Sequence, residues 1–144
     1  MLSNSKIALV IPCYNEGSQI TDVIGAIPDF VDFTIIVDDK STDDSVAVIE
    51  KLGTSRSDLT LVKHEKNQGN GGARITGLKK CLEFDPDIIC LCDGDGQMDL
   101  TALQDLIEPV LRKETDLVKG NRFFQARHGN KCREFDISVM RFCR

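Results

Sequence analysis

The chain has 144 residues, a net charge of −5 and an apolar share of 41%. That length suits one domain with a sizeable core, and the acidic balance argues against a nucleic-acid binder, which would present a basic surface. No apolar run approaches the ~18 residues that a membrane span needs, and the N-terminus lacks the basic segment, apolar stretch and cleavage site of a secretory leader, so a cytoplasmic protein is expected.

Ile7 to Ile11 is a continuous apolar run, as expected for a strand covered on both faces. Ile20, Val23, Ile24 and Ile27 recur at helical spacing, with Ser18 as the cap. Phe33 to Val37 predicts a second strand, and Ser41-Thr42-Asp43-Asp44 opens a second helix with acids suited to its dipole. Leu59 to Val62 is a third strand. A glycine-rich loop, Asn67 to Gly72, leads into a helix whose apolar face is Ile75, Leu78 and Leu82. Ile88 to Cys92 is the fourth strand. Leu100, Leu103, Ile107 and Val110 make a fourth helix, weakened near Pro109. Leu117-Val118 starts a fifth strand. From Gln125 the chain turns polar and basic without a clear period, and Ile137, Val139, Met140 and Phe142 begin a further element. The expected division is a domain over residues 1–124 and an atypical tail over residues 125–144.

Strands alternating with helices imply βαβ units and a mostly parallel α/β sheet with helices on both faces. Ligands of such sheets collect beyond the carboxyl ends of the strands. Each polar cluster of this chain falls there: Tyr14-Asn15-Glu16 after strand one, Asp38-Asp39 after strand two, the glycine loop after strand three and Asp93-Gly94-Asp95-Gly96-Gln97 after strand four. The six cysteines form no CxxC pair, and Cys90 and Cys92 share one strand face. Reduced, mostly buried thiols are expected rather than disulfides or a zinc site.

Two carboxylates one residue apart repel unless a cation or strong donors compensate. Asp93 and Asp95 suit a hard cation, Mg²⁺ or Mn²⁺, whose shell phosphates and waters would complete, with Gln97 ligating or orienting a water. The alternative is an acidic turn capping the next helix, with Asp99 as the cap. An EF-hand loop is excluded, because Gln97, Met98 and Gln104 stand where that loop needs an acid or amide, a glycine and a glutamate. Asp38 and Asp39 are placed to accept hydrogen bonds from a base or ribose, or else to serve the turn with Ser41. Gly69 and its neighbours precede a helix, so backbone N–H groups there suit an anion. The loop is neither a Walker A motif nor a clean GxGxxG, since Arg74 stands where the last glycine should be. Arg74 and Arg122 offer permanent charge to phosphates, or are ordinary surface arginines. His64 and His128 show no partner pattern.

Taken together, Ile11-Pro12-Cys13-Tyr14-Asn15-Glu16, Val37-Asp38-Asp39-Lys40-Ser41-Thr42-Asp43, Asn67-Gln68-Gly69, Asp93 to Gln97 and Gly120-Asn121-Arg122-Phe123 resemble the motifs of family 2 glycosyltransferases with the GT-A fold. The likeness covers roughly Lys6 to Phe124 and is most similar to the polyprenyl-phosphate (dolichol-phosphate-mannose-synthase-like) branch. It implies a Rossmann-like nucleotide-sugar-binding domain and a UDP- or GDP-sugar donor. Pro12, Tyr14 and Glu16 would line the nucleotide site, with Asp39 near the base. Asp93, Asp95 and Gln97 would hold Mg²⁺ or Mn²⁺ on the diphosphate, and Arg122 would face the acceptor phosphate. Asp95 and Arg122 would therefore carry the inverting transfer. A polyprenyl phosphate acceptor implies work at the cytoplasmic face of a membrane, and a homo-oligomer is left open. Members of the family continue well past this length, and the stretch after Phe124 departs from their pattern. A non-catalytic nucleotide-sugar-binding module is the alternative reading.

Overall fold

The computed structural model describes residues 4–120 and 137–142. Six strands form one sheet: β1 Ile7–Cys13, β2 Phe33–Asp38, β3 Leu59–Lys63, β4 Ile88–Leu91, β5 Leu117–Lys119 and β6 Ser138–Arg141. The helices are α1 Ile20–Gly25, α2 Ser45–Gly53, α3 Gly69–Cys81 and α4 Leu103–Leu111. The strand order is β3-β2-β1-β4-β6-β5. The first four strands are mutually parallel, and β6 runs antiparallel to both its neighbours.

All seven residues of β1 are buried, as a central strand covered on both faces requires. Its alternation divides the core. Ile7, Leu9 and Ile11 face the side carrying α1, α2 and α4, where they join Ile24, Ile49, Leu103 and Ile107. Ala8 and Val10 face α3, with Ile35, Val37, Ala73 and Cys81. Cys90 and Cys92 both lie in the first cluster, as their shared strand face predicts. Cys13, Cys81, Cys90 and Cys92 are free, buried thiols.

Several local expectations need correction. The fully buried stripe of α3 is Ala73, Gly77 and Cys81; of the residues expected there, Leu78 is half-buried against the same core, whereas Ile75 and Leu82 point outward. Ile75 is 56% exposed and Leu82 is 50% exposed. The cause is close approach: a Cβ on Gly77 would stand 2.3 Å from Val10 Cγ1, so only a hydrogen fits between helix and sheet. The glycine run is not a loop, because α3 already begins at Gly69. Ser18 does not cap α1; Gln19 precedes that helix and Ser18 Oγ donates to the Gln19 side chain at 2.7 Å. Helix α2 starts at Ser45, after the acids expected in its first turn. Finally, Ser138–Arg141 sits inside the sheet between β4 and β5, so the sheet runs across the boundary expected at residue 124. Ile137 and Val139 are fully buried there. No helix among the described residues is long and apolar enough to cross a membrane.

Candidate functional site

Strand order reverses direction between β1 and β4: the chain moves outward through β2 and β3, then returns to the far side of β1. A parallel sheet opens a crevice at such a switch point, beyond the carboxyl ends of the strands. A cavity of about 410 Å³ lies here, lined by Pro12, Cys13, Tyr14, Glu16, Asp39, Asn67, Gly69, Asn70, Ala73 and Asp93. Its size suits a small organic ligand. The structure thus gathers the ends of β1 and β2, the first turns of α3 and the acidic segment after β4 around one space.

The β1 loop is held by the segment after β2. Asn15, in the left-handed region at φ 54°, accepts at Oδ1 from the Thr42 amide at 2.7 Å, and its own amide donates to Ser41 Oγ at 2.9 Å. The Glu16 amide donates to Ser45 Oγ at 2.9 Å and the Gly17 amide to Asp43 Oδ2 at 3.0 Å. Burial pushes the Asp43 carboxyl up, but the bonds from the Ser45 hydroxyl and amide and the Gly17 amide outweigh it and hold it below the usual range. Ser41 and Asp43 therefore clamp the loop that presents Tyr14, a residue that is 48% exposed and lines the cavity.

Asp38 and Asp39 separate in role. Asp38 does not line the cavity; it is buried and its Oδ2 accepts from the Ser41 amide at 3.1 Å, in the turn. Asp39 lines the cavity wall. Its Oδ1 accepts from the Gln68 amide at 2.8 Å and meets His64 Nδ1 at 2.7 Å. Burial pushes this carboxyl up, yet those bonds and the Gly69 amide bring it below the usual range, so it is ionised at neutral pH. His64 is the residue that sequence reasoning passed over. A lone histidine after a strand carries no partner signal; the fold supplies its partners from β2 and α3.

Arg74 points at Asp93: its Nη2 donates to Oδ1 at 2.7 Å, and Asn70 Nδ2 reaches the same oxygen at 3.3 Å. These donors answer the repulsion expected between Asp93 and Asp95. Asp95 Oδ1 accepts from the Gln97 amide at 3.0 Å, while Gln97 itself is exposed. Asp99 caps the following turn by accepting from the Thr101 amide at 3.1 Å. Glu16 lies against this segment. A Cβ on Gly94 would stand 2.1 Å from Glu16 Oε2, and that oxygen is buried without a partner. Burial first, then Asp95, push the Glu16 carboxyl up to about 7. Burial, then Glu16 and Asp38, push the Cys13 thiol up to about 12, which leaves it inert as a nucleophile.

Among the described residues no three or more metal-ligating side chains form a group of their own. A magnesium-like cation takes one or two carboxylates and draws the rest of its shell from phosphates and water. Asp93 and Asp95 each keep one carboxylate oxygen without a hydrogen bond among the described residues, and the buried Glu16 Oε2 beside them has no hydrogen-bond partner. The donor set therefore fits the hard divalent metal expected from the sequence. Arg122 lies outside the described residues.

The mostly parallel sheet, with acidic segments meeting at its switch point, has the GT-A class of α/β fold. Solved structures agree. A mannosyltransferase from Pyrobaculum calidifontis, in complex with GDP-Man and Mn²⁺, superposes with a TM-score of 0.71 over 97% of this chain and 45% of that one, at 16% identity. Glucosyl-3-phosphoglycerate synthase from Mycobacterium tuberculosis, with Mn²⁺ and UDP bound, gives 0.69 over 96% and 57%, at 22% identity. The chain belongs to glycosyl transferase family 2, whose model matches residues 8–139. It is similar to UDP-N-acetylglucosamine–dolichyl-phosphate N-acetylglucosaminyltransferase of Methanococcus voltae, at 33% identity over 84% of this chain and 53% of that protein. It is also similar to undecaprenyl-phosphate mannosyltransferase of Micrococcus luteus, at 29% identity over 81% and 48%. The chain thus spans about half the length of these two relatives.

Proposed function

We propose that this domain binds a UDP- or GDP-sugar, and that the whole protein transfers the sugar to a polyprenyl phosphate by inverting displacement. The observation that carries the reading is the convergence of Tyr14, Glu16, Asp39 and Asp93 on one cavity at the switch point. The acceptor class rests on the relatives, whose names specify dolichyl and undecaprenyl phosphates. Tyr14 offers a ring for stacking at the cavity, and Asp39 offers a carboxylate to the edge of a base. Gly69 and Asn70, from the first turn of α3, line the cavity where backbone N–H groups suit a diphosphate. Asp93 and Asp95 would hold Mg²⁺ or Mn²⁺, with Gln97 orienting a water. Such a cation, when bound, supplies positive charge to the departing diphosphate. A polyprenyl phosphate is already ionised, so no side chain has to take a proton from it. Arg122 is proposed to face that phosphate, with the protein working peripherally at a cytoplasmic membrane face.

The second reading is a nucleotide-sugar-binding module without transfer, since the cavity residues account for donor binding alone. Calorimetry with UDP and GDP, with and without Mn²⁺, followed by transfer assays on polyprenyl phosphate, separates the two. Metal-dependent binding with turnover is the expected result; binding without turnover selects the module. Asp95→Ala should weaken Mn²⁺-dependent nucleotide binding by roughly tenfold or more, as loss of a charged contact implies, with an unchanged circular dichroism spectrum. Equal affinity in the variant would return the Asp pair to a turn-capping role.

A further inference from the structure

Resting on that reading of the cavity, we propose that His64 is a positioning residue that sets base selectivity, by aiming the Asp39 carboxylate at the nucleobase. His64 follows β3, and its amide donates to the Asp38 carbonyl at 2.9 Å, which ties it to the end of β2. Its ring is buried between two partners on two further elements: Nδ1 meets Asp39 Oδ1 at 2.7 Å and Nε2 meets Thr76 Oγ1 of α3 at 2.9 Å. An ionised carboxylate only accepts hydrogen bonds, so Nδ1 carries the proton. In the neutral ring Nε2 then accepts from the Thr76 hydroxyl, and a protonated ring would donate to it; both arrangements hold the Nδ1–H on Asp39. The Gln68 amide reaches the same oxygen at 2.8 Å. Two donors from the segment joining β3 to α3 therefore fix the carboxylate at the cavity wall.

A fixed carboxylate at a base edge has a chemical preference. Uracil and guanine carry a ring N–H beside a carbonyl; cytosine and adenine present a bare ring nitrogen there, which a carboxylate repels. A site built to accept a hydrogen bond rejects a ligand that cannot donate it far more strongly than it rejects a change of size. Free to rotate, the carboxylate could turn from the base or take a water, and the preference would fade. His64 touches no ligand in this scheme and acts through Asp39.

The test compares affinities of the full chain for UDP, GDP, CDP and inorganic pyrophosphate, each with Mn²⁺, by calorimetry. The wild-type chain should bind UDP or GDP at least about tenfold more tightly than CDP, and His64→Ala should shrink that ratio to about threefold or less. Pyrophosphate affinity should stay constant, since it reads the metal end alone. His64→Asn, whose amide can still donate toward Asp39, should restore most of the ratio. An unchanged ratio in His64→Ala overturns the inference, as does an equal loss for all four ligands, which would mark His64 as a support of the fold. Should His64→Ala not fold, Thr76→Val takes its place: it frees the far edge of the ring and should narrow the ratio about twofold, and a constant ratio there is equally fatal. A wild-type chain that binds pyrophosphate but no nucleotide defeats the nucleotide reading itself, which is a different outcome from binding without selectivity.

Discussion

At the scale of single residues, charge is managed by short bonds that cross between elements. Away from the cavity, Arg56 shows the cost and gain most plainly. Its guanidinium donates from Nε to Asp58 Oδ1 at 3.2 Å and from Nη2 to Asp58 Oδ2 at 2.5 Å, while Nη1 reaches the Ile24 carbonyl at 2.8 Å. The bonds from Arg56 hold the Asp58 carboxyl below its usual range, against the opposing push of burial. A depressed folded-state pKa means stability that is complete above the unfolded value of about 4 and is lost as pH falls through the lower, folded value. Asp58→Asn should cost about 1 kcal/mol at pH 7 in urea unfolding, and should flatten the fall in stability below about pH 4. An unaltered acid slope would show that Asp58 carries none of it. The pairing also marks what a sequence discloses. Tyr14, Glu16, Asp39 and Asp93 were legible as cavity residues because each follows an apolar strand. His64 was not, because its meaning lies in Asp39 and Thr76, which are 25 and 12 positions away. Nor was Arg74's engagement with Asp93, which requires knowing that α3 passes beside β4.

At the scale of elements, α3 decides how the site is built, because its first turn forms one cavity wall and its body presses on β1 and β2. Apolar periodicity pointed to Ile75, Leu78 and Leu82, since large side chains usually mark a buried face. The buried stripe is small instead, and small residues give no amphipathic signal. The strands were easier to read: short, continuous apolar runs bounded by polar turns leave little room for a helix. The same glycine-to-alanine change should act in opposite directions along this one helix. At Gly71 an added Cβ meets nothing within 4 Å. Gly71→Ala should therefore stabilise by roughly 0.5–1 kcal/mol, through the lower entropy of the unfolded chain. At Gly77 the methyl would stand 2.3 Å from Val10 Cγ1 and 3.2 Å from Val37 Cγ2, both on buried strands. Overpacking of about 1–3 kcal/mol there exceeds the helix-propensity gain of about 1, so Gly77→Ala should destabilise. Paired urea titrations measure both. Two shifts of the same sign would mean that α3 is not seated as closely as its glycine implies.

At the scale of the whole molecule, the site depends on residues that never approach it. β6 lies between β4 and β5, pairs with both, and comes from the far end of the sequence. The sequence showed apolar residues there but not their destination, because an antiparallel insertion after a polar stretch leaves no local mark. Without β6, β5 has no partner in the sheet and β4 becomes an edge. Ile137 and Val139, both fully buried, would be lost; at ~1.5–3 kcal/mol for each buried aliphatic side chain, that alone approaches half the stability of an ordinary domain, which is about 5–15 kcal/mol. The Arg141 amide bond to the Asp116 carbonyl, at 2.9 Å, would go as well. A chain ending at residue 136 is thus expected to lose cooperative thermal unfolding and to associate through the exposed β4 edge. Circular dichroism melts and size-exclusion chromatography would register both effects. Mn²⁺-dependent nucleotide binding should disappear with the fold, although none of the described deleted residues lines the cavity, since the acidic segment after β4 is aimed only while β4 is held from both sides. A truncated chain that still melts cooperatively and binds nucleotide would show instead that the parallel half of the sheet, β3-β2-β1-β4, stands alone and is sufficient for the site.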